Sequence, residues 1–109
     1  MRGEPKAWSP ADATHRINEC GRNDHLSISF TLHAKERMAE RGLIMADLLH
    51  LLKTGFVYQE AEPSSRDGLF KYKIEGPTPN SDGRTVCAVV IPGSGCAMKI
   101  VTVMWRDEK

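Results

Sequence analysis

A histidine and two arginines recur at a four-residue interval between residues 33 and 41. His33, Arg37 and Arg41 would share one face of a helix, because side chains four residues apart lie one above the other. Guanidinium groups match the oxygens of a phosphate, and an imidazole exchanges a proton near neutral pH. This face therefore suits a phosphodiester. The alternative is an ordinary solvated helix face, on which Glu36 and Glu40 pair with the neighbouring arginines.

Further basic and aromatic residues could extend this surface from the second half of the chain. Lys71 and Lys73 alternate with apolar neighbours and are expected to point outward from a strand. Arg84 stands beside a turn, from which a side chain can reach over the face of a sheet. Tyr72 could stack on a base, although an aromatic residue on a strand more often belongs to the core. Lys99 is interpreted as a plain surface residue.

Composition and motifs exclude several other classes of function. The 109-residue chain has a net charge of +1, well short of a protein that coats nucleic acid, so any polyanion contact must be local. Its glycines follow no phosphate-loop pattern, and no apolar run approaches the roughly 18 residues of a membrane span. We therefore expect one soluble domain with neither cofactor nor metal. Without an apolar leader, a cytoplasmic location is expected, and the widely spaced Cys20, Cys87 and Cys96 are predicted to be reduced.

Three helices are needed to position these residues. Ser9, Pro10 and Asp12 are typical of a helix start, and this first helix is expected to run to about residue 20. Thr31 can cap a second helix that reaches residue 41, with Gly42 ending it in the left-handed conformation. A third helix is predicted over residues 45–54 from the helical spacing of its leucines, although its start lacks a conventional capping residue.

The remainder of the pattern predicts strands. A short half-buried strand is expected near residues 26–30, and longer candidates cover residues 56–60, 69–75, 85–92 and 98–105. The link between the last two strands is too short for a parallel crossover, so they should pair antiparallel. The predicted fold is α+β, with N-terminal helices packed on a C-terminal antiparallel sheet of about four strands. Ala34 and Met38 should face the core.

The motif around His33 is similar to that of a known family. The run from Phe30 to Gly42, which contains HAxxRMxxRG, together with the Tyr72 strand, Gly83-Arg84 and the closing strand to Trp105, resembles the domain of unknown function 4258. The resemblance covers about residues 26–105 of the single predicted domain and leaves a helical extension at residues 1–25. It implies a fold like that of the RelE and BrnT ribonuclease toxins, with an antitoxin protein as partner. It also implies that His33, Arg37 and Arg41 cleave or hold a phosphodiester, supported by Lys71, Tyr72 and Arg84.

Two functional hypotheses follow. The first is a metal-independent endoribonuclease, the toxin component of a bacterial toxin–antitoxin module, in which His33 is the base and the arginines stabilise charge on phosphorus. The second is a non-catalytic module whose basic helix face binds an acidic protein or nucleic acid. The near-neutral charge favours the second hypothesis, and the histidine on the basic face favours the first. The sequence does not indicate an oligomeric state.

Overall fold

The computed structural model describes residues 7–65 and 68–107, which form three helices and six strands. The helices are α1 (Pro10–Gly21), α2 (Leu32–Glu40) and α3 (Met45–Thr54). The strands are β1 (Ser27–Phe30), β2 (Phe56–Val57), β3 (Glu62–Pro63), β4 (Phe70–Gly76), β5 (Val86–Pro92) and β6 (Ala97–Trp105). None of the helices in the described ranges has both the length and the apolar composition needed to cross a membrane.

The starts of α1 and α2 follow from capping residues, as the sequence predicts. The Ser9 side chain accepts a hydrogen bond from the backbone N–H of Asp12 at 3.2 Å, and the Thr31 side chain accepts one from the N–H of Ala34 at 3.0 Å. Each bond satisfies a donor that a helix start leaves unpaired. Gly42 follows α2 with a φ of +69°, a conformation that glycine adopts without steric cost. These contacts fix the position of α2 along the chain.

Helix α3 is preceded at its cap position by Ile44, whose side chain cannot act as a cap. A carboxylate inside the helix supplies the hydrogen-bond acceptor at this end instead. The buried carboxylate of Asp47 accepts a hydrogen bond from the Ile44 N–H at 2.8 Å. It also accepts bonds from the backbone N–H and side-chain amide of Asn80, at 2.8 and 3.1 Å. Asp47 therefore joins the start of α3 to the loop between β4 and β5.

The sheet has the order β1-β6-β5-β4-β2, with β3 paired to β4 beside this path. Strands β4, β5 and β6 are antiparallel, which confirms the predicted pairing of the last two strands. The prediction of about four antiparallel strands is wrong in two respects. Strand β1 joins the sheet parallel to β6, and the short β2 and β3 bring the count to six. Because β1 and β6 are far apart in sequence, no short turn connects them, and the sequence gives no local signal for their pairing.

One hydrophobic core joins the three helices to the sheet. Ala34 is fully buried and Met38 is 7 % exposed, which confirms the predicted inward face of α2. Ala13 and Ile17 of α1 are also fully buried, in the same cluster as Ile100 of β6. Burial of a large aliphatic side chain contributes about 1.5–3 kcal/mol, so α1 is an integral part of the core.

The prediction that all three cysteines are reduced is wrong. Cys20, at the end of α1, forms a disulfide with Cys96, which directly precedes β6. Their spacing in sequence is 76 residues, so only the tertiary fold reveals that they meet. Cys87 is a buried free thiol on β5. Burial, reinforced by the negative charge of Glu75, raises the pKa of this thiol to about 11, so it is protonated at neutral pH.

Candidate phosphodiester-binding site

The predicted charged face of α2 exists and lies beside the face that enters the core. His33 is exposed, whereas the side chain of Arg37 is 41 % exposed and that of Arg41 is 10 % exposed. The arginine at the end of the helix is therefore the more restrained of the two. Its Nη1 donates to the carbonyl of Arg37 at 3.3 Å, a contact that holds the guanidinium against the last turn.

Glu40 links the two arginines. Its Oε1 lies 2.8 Å from Nη1 of Arg37 and 3.3 Å from Nη1 of Arg41. A single carboxylate oxygen thus occupies part of the space that a phosphate oxygen would take between two guanidinium groups. The ion pairs expected under the solvated-face interpretation are present for Glu40, and they leave a net positive charge on this part of the helix.

His33 is connected to the arginines by one long contact. Nε of Arg37 donates to Nε2 of His33 at 3.5 Å, the upper limit for a hydrogen bond. Chemically, the group offers an imidazole beside one guanidinium, with a second guanidinium one turn further along the helix. An imidazole can act as a base, and guanidiniums can bind phosphate oxygens.

The structure places Lys71 in a different groove, on the face of the sheet. This groove of about 160 Å³ is lined by Lys71 and Lys73 together with Glu60 and Glu62 from the segment that precedes β4. Glu62 is the register partner of Lys71 in the β3–β4 pair. The two lysines point away from the core as predicted, but carboxylates stand beside them and reduce their attraction for an anion.

Tyr72 belongs to the core. It is 4 % exposed, and its ring stacks on Trp8 with 5.4 Å between centroids. Its hydroxyl accepts a hydrogen bond from the backbone N–H of Trp8 at 2.8 Å. Burial raises the pKa of this hydroxyl, partly opposed by the Trp8 hydrogen bond. The ring is thus covered by the segment before α1, and in this arrangement it is not free to stack on a base.

Arg84 follows the turn before β5 and lies on an aromatic ring. Its guanidinium carbon is 4.1 Å from the centroid of Trp105, and its Nη2 is 3.0 Å from Oδ1 of Asp107. A cation stacked on an indole is stabilised by the ring quadrupole. These contacts hold Arg84 at the end of β6, where its guanidinium remains about half exposed.

Lys99 lies in a groove, although the sequence pattern indicates a plain surface residue. The groove, of about 320 Å³, lies on the side of the sheet that carries the side chains of Ser27 and Ser29. Within the described residues Lys99 is the only charged side chain of its lining. Ser29 is the register partner of Lys99. Alternation with Ile28 and Phe30 places the serines on one face of β1, but the pairing with β6 that brings Lys99 beside them has no local signal.

The described residues contain no group of three or more histidine, cysteine, aspartate or glutamate side chains arranged to hold a metal ion. The chemistry available on α2 is therefore that of His33, the two arginines and Glu40. Of the six site residues predicted from the sequence, the structure joins His33, Arg37 and Arg41 through direct contacts. Lys71, Tyr72 and Arg84 have contacts on β3, Trp8 and Trp105 respectively.

These observations define a small α+β protein with a mixed sheet and a basic face on its second helix. A profile of the domain of unknown function DUF4258 matches residues 30–105, and the chain belongs to this family. No curated protein and no solved structure is significantly similar to the chain. The matched region contains the whole of α2 and begins at the last residue of β1, so α1 lies outside it.

Proposed function

We propose that the protein contacts RNA phosphodiesters through the α2 face and cleaves RNA without a metal, as the toxin of a toxin–antitoxin module. The observation that supports this most directly is the contact of 3.5 Å between Arg37 Nε and His33 Nε2, which places an imidazole beside a guanidinium. Arg41 adds a second, largely buried guanidinium one turn further along. A base and two fixed cations on one helix face are the elements of phosphoryl transfer by an internal hydroxyl.

In the proposed reaction, the long contact from Arg37 to Nε2 of His33 opens, and Nε2 takes the proton from a ribose 2′-hydroxyl. The 2′-oxygen then forms a bond to phosphorus while the bond to the 5′-oxygen breaks. Water supplies the proton to that leaving oxygen, and the hydroxide so formed takes the proton back from His33. The products are a 2′,3′-cyclic phosphate and a 5′-hydroxyl. Arg37 and Arg41 stabilise the additional negative charge on the phosphorane oxygens, for which the phosphate must displace the carboxylate of Glu40.

The direct test is cleavage of a labelled single-stranded RNA by purified protein with a chelator present. His33→Gln should keep the thermal melting temperature and lower the cleavage rate by roughly 10²–10⁴-fold, the usual contribution of general acid–base catalysis. Arg37→Ala should weaken RNA binding. It should also reduce the slope of the logarithm of the binding constant against the logarithm of the salt concentration by about 1, as expected for the loss of one phosphate contact. Lys53→Ala, an exposed change on α3, is the matched surface control. An RNA with 2′-deoxy sugars should bind and resist cleavage.

Equal cleavage by wild type and folded His33→Gln would contradict the role of His33. Cleavage that stops on adding the chelator would contradict the metal-independent reaction. Unchanged affinity and salt slope in both Arg37→Ala and Arg41→Ala would remove the α2 face from the RNA contact. Lys99→Ala is not a suitable neutral control, because Lys99 lines a groove of its own.

The second candidate is a module that binds RNA or an acidic protein without cleaving it. The exposure of His33 on an open helix surface favours this candidate, because general bases usually act in sites that exclude water. In that case wild type and His33→Gln bind equally and neither cleaves. The RelE-like fold and the antitoxin partner belong to the first candidate and remain proposals.

A cytoplasmic location is also part of the proposal, because the RNA substrates of such a toxin are cytoplasmic. The Cys20–Cys96 disulfide places a condition on it. Cytosolic thiols are normally kept reduced, so the protein must retain its fold with this bond open.

A further inference from the structure

Strand β1 is the edge of the sheet in the described structure, since it pairs with β6 on one side only. The N–H of Ser27 donates to Cys96 and the N–H of Thr31 donates to Ile100, so the odd-numbered residues face β6. In a strand, alternate residues direct their backbone groups to opposite sides. Ile28 and Phe30 therefore present their N–H and C=O groups away from the sheet.

An apolar groove runs along this edge on the side of the helices. It has a volume of about 480 Å³ and lies between β1, α2 and the start of α3. Its apolar lining comes from these three elements and from the loop between α2 and α3. The apolar residues are Ile28, Phe30, Met38, Ala39, Leu43 and Met45. Met45 is 47 % exposed, so this apolar surface is open to solvent.

Both sides of the edge carry positive charge. In the described part of the chain, Lys35 is the only charged residue that lines the apolar groove. On the opposite side of the sheet, the serine groove beside β1 contains Lys99 as its only charged lining residue among those described. An extended segment paired to β1 would therefore have a lysine near each of its two faces, and the residues described in the two groove linings include no carboxylate.

We propose that the β1 edge binds an extended segment of another protein in which apolar residues alternate with acidic ones. The segment adds a strand to the sheet through the outward groups of Ile28 and Phe30. Its apolar side chains enter the groove, and its carboxylates lie on the side of Lys99. Backbone pairing gives affinity and the alternating side chains give selectivity, as in other cases of strand addition. This proposal does not depend on ribonuclease activity.

A second copy of the chain is a poorer occupant on electrostatic grounds. If β1 paired antiparallel with β1 of a second copy, the two copies would be related by a two-fold axis normal to the sheet. The helix-covered faces of both sheets would then lie on the same side of the joined sheet. Both Lys35 side chains would then lie on one side of the joined sheet and both Lys99 side chains on the other. The copy brings no carboxylate to either groove from its own described lining, whereas a partner with alternating carboxylates meets positive charge.

The test uses a fluorescein-labelled synthetic peptide in which valine and glutamate alternate, with fluorescence anisotropy of the full chain as the readout. Ile28→Pro removes one outward N–H and leaves the bonds to β6 in place, since proline is tolerated on edge strands. It should weaken binding about tenfold, the loss of roughly 1.4 kcal/mol. Lys99→Glu should also weaken binding, and Lys53→Glu, on α3, should leave it unchanged.

Two further peptides keep the test decisive if Ile28→Pro fails to fold. A peptide N-methylated at every residue has no N–H to donate along either edge and should not bind wild type. A peptide with lysine in place of glutamate should bind more weakly. Equal binding of either peptide, or none by the valine–glutamate peptide, would overturn the proposal. A dimer in sedimentation analysis that Ile28→Pro converts to a monomer would show instead that the occupant is a second copy.

Discussion

The carboxylate of Glu40 lies against the guanidinium of Arg37, with Oε1 at 2.8 Å from Nη1. The same oxygen is 3.3 Å from Nη1 of Arg41. Because Glu40 is 57 % exposed, its pair with Arg37 contributes little to stability, about 0.3–0.5 kcal/mol for a pair on a helix surface. The consequence concerns binding instead, because an incoming phosphate must compete with this carboxylate for the same N–H groups.

Replacing Glu40 should therefore strengthen RNA binding. Glu40→Gln removes the negative charge and leaves a side chain of the same shape, so both guanidiniums lose this charged partner and attract a phosphate more strongly. We expect affinity for a labelled single-stranded RNA to rise about two- to fivefold at moderate salt, with a steeper salt dependence. Glu36→Gln, on the same helix, is the control and should change affinity less. A Glu40→Gln protein that binds RNA as weakly as wild type would show that phosphates do not approach the arginines.

Asp47 should stabilise the fold most strongly at neutral pH. Burial alone would raise the pKa of its carboxyl, but hydrogen bonds from the Ile44 and Asn80 N–H groups and from the Asn80 amide outweigh burial and lower it below the ordinary 3.8. A carboxyl whose pKa is lowered by folding stabilises the protein above its unfolded pKa and loses that effect as pH falls through the folded value. The stabilisation is therefore complete at neutral pH and lost below pH 3.8.

The measurement is urea unfolding of Asp47→Asn and wild type across that range. The variant should lose about 1–3 kcal/mol at neutral pH, because an amide cannot replace a carboxylate that accepts three N–H bonds. The difference should shrink as the pH falls below 3.8. Asp24→Asn, in an exposed turn, should cost little. A difference that stays constant down to acid pH would rule out ionisation of Asp47 as its source.

The features that the sequence predicts well are those with local signals. Helix α3 spans Met45–Thr54 as predicted because its apolar residues recur at helical spacing. The pairing of β5 with β6 follows from a link too short for a crossover. The joint position of His33, Arg37 and Arg41 depends on one helical repeat, and capping by Thr31 fixes its start.

Other features depend on contacts between residues far apart in sequence. Strand β1 is recognisable by alternation, but its parallel pairing with β6 depends on the path of the chain through both helices between them. The burial of Tyr72 depends on Trp8, which lies 64 residues earlier in the chain and covers the ring. A pattern of alternating residues gives the side of a strand on which a residue lies, and what covers that side must come from the tertiary fold.

Tyr72 should accordingly matter for stability and not for RNA. Tyr72→Phe keeps the ring on Trp8 and removes the acceptor of the Trp8 N–H, so it should cost about 0.5–1.5 kcal/mol in urea unfolding and leave RNA affinity unchanged. Tyr58→Phe is the matched control, because Tyr58 is 65 % exposed. A Tyr72→Phe protein of unchanged stability and reduced RNA affinity would return Tyr72 to the binding surface.

The disulfide between Cys20 and Cys96 should stabilise the fold without being required for it. Closing a loop of this length restricts the unfolded chain, and the typical effect is about 2–4 kcal/mol. Helix α1 nevertheless has other anchors. Ala13 and Ile17 are fully buried, and the side-chain amide of Asn18 donates to the carbonyl of Leu52 at 2.7 Å. We therefore expect the protein with both cysteines replaced by serine to fold with a lower free energy of unfolding.

The experiment compares urea unfolding of wild type and Cys20→Ser/Cys96→Ser with and without reductant. Reductant should lower the stability of wild type by about 2–4 kcal/mol and leave the double variant unchanged. Cys87→Ala is the control, because it alters a free thiol and should keep the response to reductant. Thiol titration of unreduced, unfolded wild type should detect Cys87 alone, and detection of all three cysteines would contradict the disulfide. A double variant that does not fold would contradict the cytoplasmic location, because the reduced chain would then have no stable fold among cytosolic thiols.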